Sequence, residues 1–177
     1  MNRAQILLQR FDLVEYRLCR SLNQAVASRA LRRVFQVASR LGDGVIWYAL
    51  VFILPLVFGL RALRPSLVMI ATGVAGLLLY KALKHTLHRE RPYIRHAGIT
   101  LAMPPLDRYS FPSGHTLHAV SFTIQAVTLF PVLAWGLIPL AMLIAASRVV
   151  LGLHYPSDVL AGAGIGVALA EVGLAFN

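Results

Sequence analysis

Cysteine is nearly absent from this 177-residue chain: Cys19 stands alone, so no internal disulfide can form and redox compartment cannot be read from it. Acid is scarce as well, with 7 Asp and Glu against 17 Lys and Arg, a formal net charge of +10. Charged residues of either sign make up only 14% of the chain, where a soluble domain carries about 25%. Apolar residues fill the gap at 58%, with a mean hydropathy of +0.68. That balance excludes an ordinary water-soluble domain and indicates an integral membrane protein. In a soluble chain the basic surplus would raise nucleic acid as a partner. In a membrane chain it points to anionic headgroups or phosphates instead, and no nucleic-acid partner is expected. A secretory signal peptide is also missing, because Met1 to Arg20 mixes charge with apolar residues. Targeting is therefore expected to come from the spans themselves. The length suits one domain over residues 1–177, without room for a second.

What is there falls into two parts. Residues 1–43 carry eight arginines and no apolar run near the ~18 residues that spanning needs. Leu7, Phe11, Val14 and Leu18 form one helical stripe; Leu31, Val34, Phe35, Ala38 and Leu41 form another, flanked by arginines. These predict two amphipathic helices lying in the membrane interface. Gly42-Asp43-Gly44 breaks the pattern. Residues 44–177 read as the transmembrane catalytic core, with apolar segments at 45–60, 67–83, 114–130, 133–150 and 157–176. The expected fold is an all-α integral membrane bundle of five to six spans. Gly162 and Gly166, four apart, predict close helix packing. Trp47 and Trp135 near segment ends read as interface anchors. Glu171 in the last segment is expected either to face the bundle interior or to snorkel.

Polar residues gather where segments end. With five spans, 1–43, 84–113 and 151–156 share one face of the membrane, and ionisable groups converging there form a functional site by default. Three clusters stand out: Lys84 with Arg91-Pro92; Pro112-Ser113-Gly114-His115; and Ser147-Arg148 followed by His154 and Asp158. Three cations, two histidines, a carboxylate and a helix N-terminus suit a phosphate. One histidine could attack phosphorus while the other protonates the leaving oxygen, and a carboxylate would orient the attacker. The pairs His85/His88 and His115/His118 are three apart, yet the cations nearby would repel a metal ion and only one carboxylate lies in the clusters. His85, His88 and His96 read as solvated loop residues, and His118 as a possible pocket residue.

At these positions the sequence resembles the type-2 phosphatidic acid phosphatase superfamily. Its three signatures are Lys, six residues, then Arg-Pro; Pro-Ser-Gly-His; and Ser-Arg, five residues, His, three residues, Asp. Here they read Lys84 to Pro92, Pro112 to His115, and Ser147 to Asp158, with no departure at any motif position. The N-terminus departs, since many membrane relatives have six spans and five are clear here. The resemblance implies that His154 is the nucleophile, forming a phosphohistidine, with Asp158 holding its imidazole. It implies that His115 is the general acid. Lys84, Arg91, Ser113, Gly114 and Arg148 would bind the phosphoryl oxygens, with no metal and no cofactor. The implied partner is a membrane lipid phosphate in the bilayer, undecaprenyl diphosphate first. Phosphatidylglycerol phosphate, phosphatidic acid and lipid A are alternatives, and a lipid or solute transporter or flippase is the rival of another class. The positive-inside rule would put the basic face in the cytoplasm. The resemblance puts the site on the periplasmic or exterior side of a bacterial inner membrane, and that expectation is the one followed here.

Overall fold

Eight helices account for the regular structure of residues 3–177, which the computed structural model describes, with side chains from Arg10 onward. They are α1 (Arg3–Asn23), α2 (Arg29–Leu41), α3 (Val45–Phe58), α4 (Leu63–Leu87), the single turn α5 (Pro92–Arg95), α6 (Gly114–Leu129), α7 (Ala134–Val150) and α8 (Pro156–Ala175). Among the described residues the only β pairing is an isolated bridge between Glu90 and Tyr109. The chain is thus the all-helical membrane bundle expected.

Among the described residues, three helical stretches are long and apolar enough to cross a bilayer: Leu60–Leu87, Pro131–Val150 and Pro156–Ala175. Taken together, α2 and α3 meet the same requirement as a broken span, bent by 55° at residues 42–44. The remaining apolar segment, α6, has 16 residues, so it rises about 24 Å against a hydrocarbon core of about 30 Å. It can be short because α4, α7 and α8 surround it. Protein rather than lipid faces it, so it also carries polar groups, each needing a partner. Gln125, fully buried, donates to Thr72 Oγ1 at 3.0 Å and to the Ser121 carbonyl at 3.2 Å.

The α6–α8 contact depends on the two predicted glycines. A Cβ on Gly162 would lie 2.5 Å from the Ser113 carbonyl oxygen, and one on Gly166 would lie 2.6 Å from that of Leu117. Backbone therefore touches backbone, as small residues at a membrane helix interface allow.

The N-terminal helices form as their periodicity predicts, and Ser28 caps α2 by accepting the Leu31 N–H. α2 turns Phe35 and Ala38 of its apolar stripe inward, but α1 packs the other way round from a water-soluble helix. Phe11, Val14 and Leu18 point outward, while Glu15, Cys19 and Asn23, one turn apart along an adjoining face, are buried. The side chain of Leu7, which heads that apolar stripe, lies outside the described residues. Lipid accepts the apolar stripe, so the polar stripe turns in and finds partners. Asn23 donates to the carbonyls of Thr100 and Val150 and accepts from the Thr100 N–H.

Two smaller expectations need correction. Trp47 is no interface anchor: it is 3% exposed and stacks on Phe122 with ring centroids 5.5 Å apart. Trp135, 89% exposed, keeps that role open. Glu171 points out of the bundle rather than into it, which leaves only the snorkelling alternative.

Candidate active site

Five chain segments bring cations and histidines to one end of the bundle. The last turns of α4 and α7 supply Lys84 and Arg148, the α4–α5 connector supplies Arg91, the start of α6 supplies His115, and the α7–α8 turn supplies His154. All five line one cavity of about 230 Å³, with Gly114 and His118. The turn before α8 is tight: Gly152 adopts φ +77°, and a Cβ there would lie 2.8 Å from the Thr100 carbonyl oxygen. His154 N–H donates to the Arg148 carbonyl at 3.0 Å, which fixes the histidine over the arginine's own backbone.

His154 is 1% exposed, with Nε2 3.3 Å from Arg91 Nη1. Burial first, then the charges of Arg148, Arg91, Lys84 and His115, hold its pKa well below the ordinary 6.5. The ring is neutral at neutral pH, and a lone pair on Nε2 facing a guanidinium fits the tautomer protonated at Nδ1. Nδ1 points at Asp158 Oδ2 from 3.6 Å, too far for a hydrogen bond, and has no other partner among the described residues.

Asp158 is itself firmly held. Its Oδ2 accepts the Tyr155 N–H at 2.8 Å in a capping box at the start of α8, and its Oδ1 accepts from Arg89 at 2.6 Å. Arg89 reaches on to Glu15 of α1 at 2.5 Å and to Ser157 Oγ at 2.7 Å, with its guanidinium 4.1 Å from the Tyr155 ring centre. Burial opposes charge on Arg89, but Asp158 and Glu15 outweigh it and raise its pKa.

The cations are partly occupied. Lys84 Nζ donates to both oxygens of Asp107, at 2.8 and 2.7 Å, and Arg91 Nη2 donates to Oδ1 at 2.7 Å. Burial would raise the Asp107 pKa, yet the hydrogen bond and charge of Lys84, then those of Arg91, bring it below the usual carboxylate value. Arg148, 2% exposed, donates to Ser39 of α2, and its Nε has no partner among the described residues. His115 Nε2 lies 2.5 Å from Asp43 Oδ1.

Six of the predicted site residues thus share the cavity wall: Lys84, Arg91, Gly114, His115, Arg148 and His154. Ser113 and Asp158 stand behind it. Ser113 Oγ caps α6, bonded to Thr116, while its N–H donates to the Asp158 carbonyl and joins the segments that carry His115 and His154. His118 lines the cavity between the carbonyls of Gly114 and Gly73. His85 and His88 are exposed, as expected. His96 is not simply solvated: it packs between Tyr16 and Tyr155.

Sequence reasoning missed Asp43, Asp107, and the pair Arg89–Glu15. Asp107 carried a signal, being the sole acid between Arg91 and Pro112 in a basic loop. Asp43 was visible only as part of a helix break. Away from the cations the cavity is apolar, walled by Trp47 and Val51 of α3, Ile70, Val74 and Leu77 of α4, and Phe122. The geometry can hold a tetrahedral oxyanion at one end, beside a neutral imidazole, and a hydrocarbon at the other.

Comparison with known proteins agrees. The PAP2 superfamily pattern matches residues 61–176. The chain is 28% identical over 134 residues to undecaprenyl-diphosphatase BcrC of Bacillus subtilis, covering 75% of this chain and 69% of that relative. Among solved structures, a transmembrane PAP2 type phosphatidylglycerolphosphate phosphatase from Bacillus subtilis superposes with TM-score 0.72 and 25% identity, covering 97% of this chain and 94% of that one. LpxE of Aquifex aeolicus superposes with TM-score 0.77 and 28% identity, covering 90% and 93%.

Proposed function

The chain belongs to the PAP2 superfamily and is a membrane-embedded phosphatase, and from that premise we propose that it hydrolyses a lipid phosphate, undecaprenyl diphosphate first, through a phosphohistidine. One observation carries the lipid reading: a single cavity runs from Lys84, Arg91 and Arg148 to apolar walls between α3 and α4. Tyr48, Ile70 and Val74 on those walls are also exposed on the outside of the bundle. A phosphate at the charged end would leave its hydrocarbon on the bilayer side.

The chemistry follows from the groups present. Lys84, Arg91, Arg148 and the N-terminus of α6 at Gly114 would neutralise the phosphoryl oxygens, Ser113 acting through the cap it makes there. Binding would displace Asp107 from Lys84 and Arg91 and give Arg148 Nε the partner it lacks. His154 Nε2 attacks phosphorus, forming the N–P bond; the P–O bond to the leaving group breaks and its electron pair stays on the leaving oxygen. His115 gives that oxygen a proton. Asp158 stabilises the positive charge that develops on His154, closing the 3.6 Å gap between Nδ1 and Oδ2. Water then attacks phosphorus, passes a proton to His115, and the N–P electrons return to His154.

The relationship to undecaprenyl-diphosphatase supports the polyprenyl diphosphate, and the likeness to the phosphatidylglycerolphosphate phosphatase supports a second reading. The family resemblance supports a site on the periplasmic face of a bacterial inner membrane. Phosphate release by detergent-purified protein is the test, run on undecaprenyl diphosphate, phosphatidylglycerol phosphate, phosphatidic acid and lipid A. Release from the first is expected to exceed the others and to vanish in His154→Ala and His115→Ala. Preference for phosphatidylglycerol phosphate would install the second reading. Near wild-type turnover in His154→Ala would sink the phosphohistidine.

A further inference from the structure

We propose that Asp43, at the bend between α2 and α3, is a positioning residue for the reaction: it favours a proton on His115 Nε2 against burial and the neighbouring cations, and holds it where the leaving oxygen arrives. The inference rests on the reading of His115 as general acid. Asp43 lies outside the residues matched by the family pattern, which begin at 61.

Geometry supplies the first argument. Asp43 Oδ1 sits 2.5 Å from His115 Nε2, and both side chains line the cavity. The glycines on either side let the bend come this close. A Cβ on Gly42 would lie 2.8 Å from Ile144 Cγ2 and 3.1 Å from His115 Cδ2, against the very ring that Asp43 holds. Gly44 has φ +126°, a conformation that side-chain-bearing residues rarely adopt. The turn is therefore shaped to present one carboxylate to one histidine.

Electrostatics supplies the second. A general acid must carry a proton before the substrate reacts, yet His115 shares its cavity with Lys84 of α4, Arg91 of the α4–α5 connector, and Arg148 of α7; His154 faces it from the turn before α8. Each of the three cations disfavours a further positive charge. Asp107, the other carboxylate at the cavity, is engaged by Lys84 and Arg91. Asp43 is the carboxylate in contact with the His115 ring, and an opposite charge at hydrogen-bond distance favours the protonated form.

In the reaction the leaving oxygen takes the place of Asp43 Oδ1 at Nε2. As the P–O bond breaks and its electron pair moves to that oxygen, the Nε2 proton follows. Asp43 stays ionised throughout. When water attacks the phosphohistidine, its proton returns to Nε2 and the contact with Asp43 re-forms.

The test compares leaving groups. An alkyl phosphate releases an alkoxide that needs a proton, whereas p-nitrophenyl phosphate releases a stable phenolate that does not. Asp43→Asn, which keeps the size of the side chain, should lower kcat/KM for the alkyl lipid phosphate by about 10- to 100-fold, a part of the roughly 10²- to 10⁴-fold that general acid catalysis contributes. For p-nitrophenyl phosphate the change should stay under about 3-fold, and Asp43→Glu should recover part of the loss on the lipid. An equal loss on both substrates, or none on either, overturns the proposal and leaves Asp43 a brace of the α2–α3 bend. His115→Ala is the control. If it shows the leaving-group dependence and Asp43→Asn does not, only Asp43's role falls. If it loses both activities equally, the reading of His115 itself falls.

Discussion

Burial and the cations around His154 discourage a proton, which suits the nucleophile proposed for it and makes it a liability in acid. Its folded pKa lies well below the ordinary 6.5, so below that pH the unfolded chain binds a proton that the folded one does not. Stability is full above about pH 6.5 and falls as the pH drops toward the folded value. Asp107 acts in a lower window. Its folded pKa is depressed below 3.8, so its contribution holds above that pH and is lost only in stronger acid. The melting temperature in detergent should therefore fall in two stages on acidification. His154→Asn should lessen the fall that begins below about pH 6.5, and Asp107→Asn the one below about pH 4; identical profiles for all three proteins would refute the assignment. The histidines and cations of the site were legible in the sequence because motif spacing alone places them at segment ends. Asp43 and Asp107 were not, since a carboxylate outside a motif acquires meaning only from what folds against it.

At the scale of elements, two helices position the proposed acid and nucleophile, and one contact registers them. His115 opens α6, His154 and Asp158 flank the start of α8, and the Ser113 N–H reaches the Asp158 carbonyl at 3.0 Å. Gly162 stands against that same Ser113. Gly162→Ala should cost about 1–3 kcal/mol, as overpacking of a tight interface does, and should reduce kcat by shifting His115 away from His154. Gly164→Ala is the matched control, because nothing lies within 4 Å of its added Cβ; it should melt and turn over like wild type. The spacing of Gly162 and Gly166 predicts close packing of α8, and the structure supplies its partner, α6. The packing face of α1 was less legible. A helical stripe identifies a helix in any solvent, but which stripe faces inward depends on whether water or lipid lies outside. Here lipid reverses the rule, and Glu15 rather than Phe11 faces the protein. α6 escaped the span criteria for a related reason, since a helix wrapped by other helices answers to them and not to the bilayer.

For the whole molecule, the site lies at the end of the bundle where α4 and α7 finish and α8 begins. Arg61, Arg64 and the C-terminus lie at the other end, where Arg64 donates to the Phe176 carbonyl at 3.0 Å. A periplasmic site therefore requires a cytoplasmic C-terminus. Fused after Asn177, green fluorescent protein should fluoresce and alkaline phosphatase should stay inactive; the reverse pattern would put the site in the cytoplasm, as the arginine-rich N-terminus suggests by charge alone. The catalytic cations themselves stand on helix ends or a short connector, while Asp43 and Asp107, which face them, stand on a bend and a loop. The phosphate pocket is thus assembled from parts that differ in how freely they can change. A helix end that shifts disturbs its neighbours, but a loop residue can be exchanged with little disturbance to the packing. Preference for a monoester or a diphosphate, which differ in the negative charge they bring, can then be retuned by editing the loop position Asp107 while the groups proposed to break the bond stay as they are.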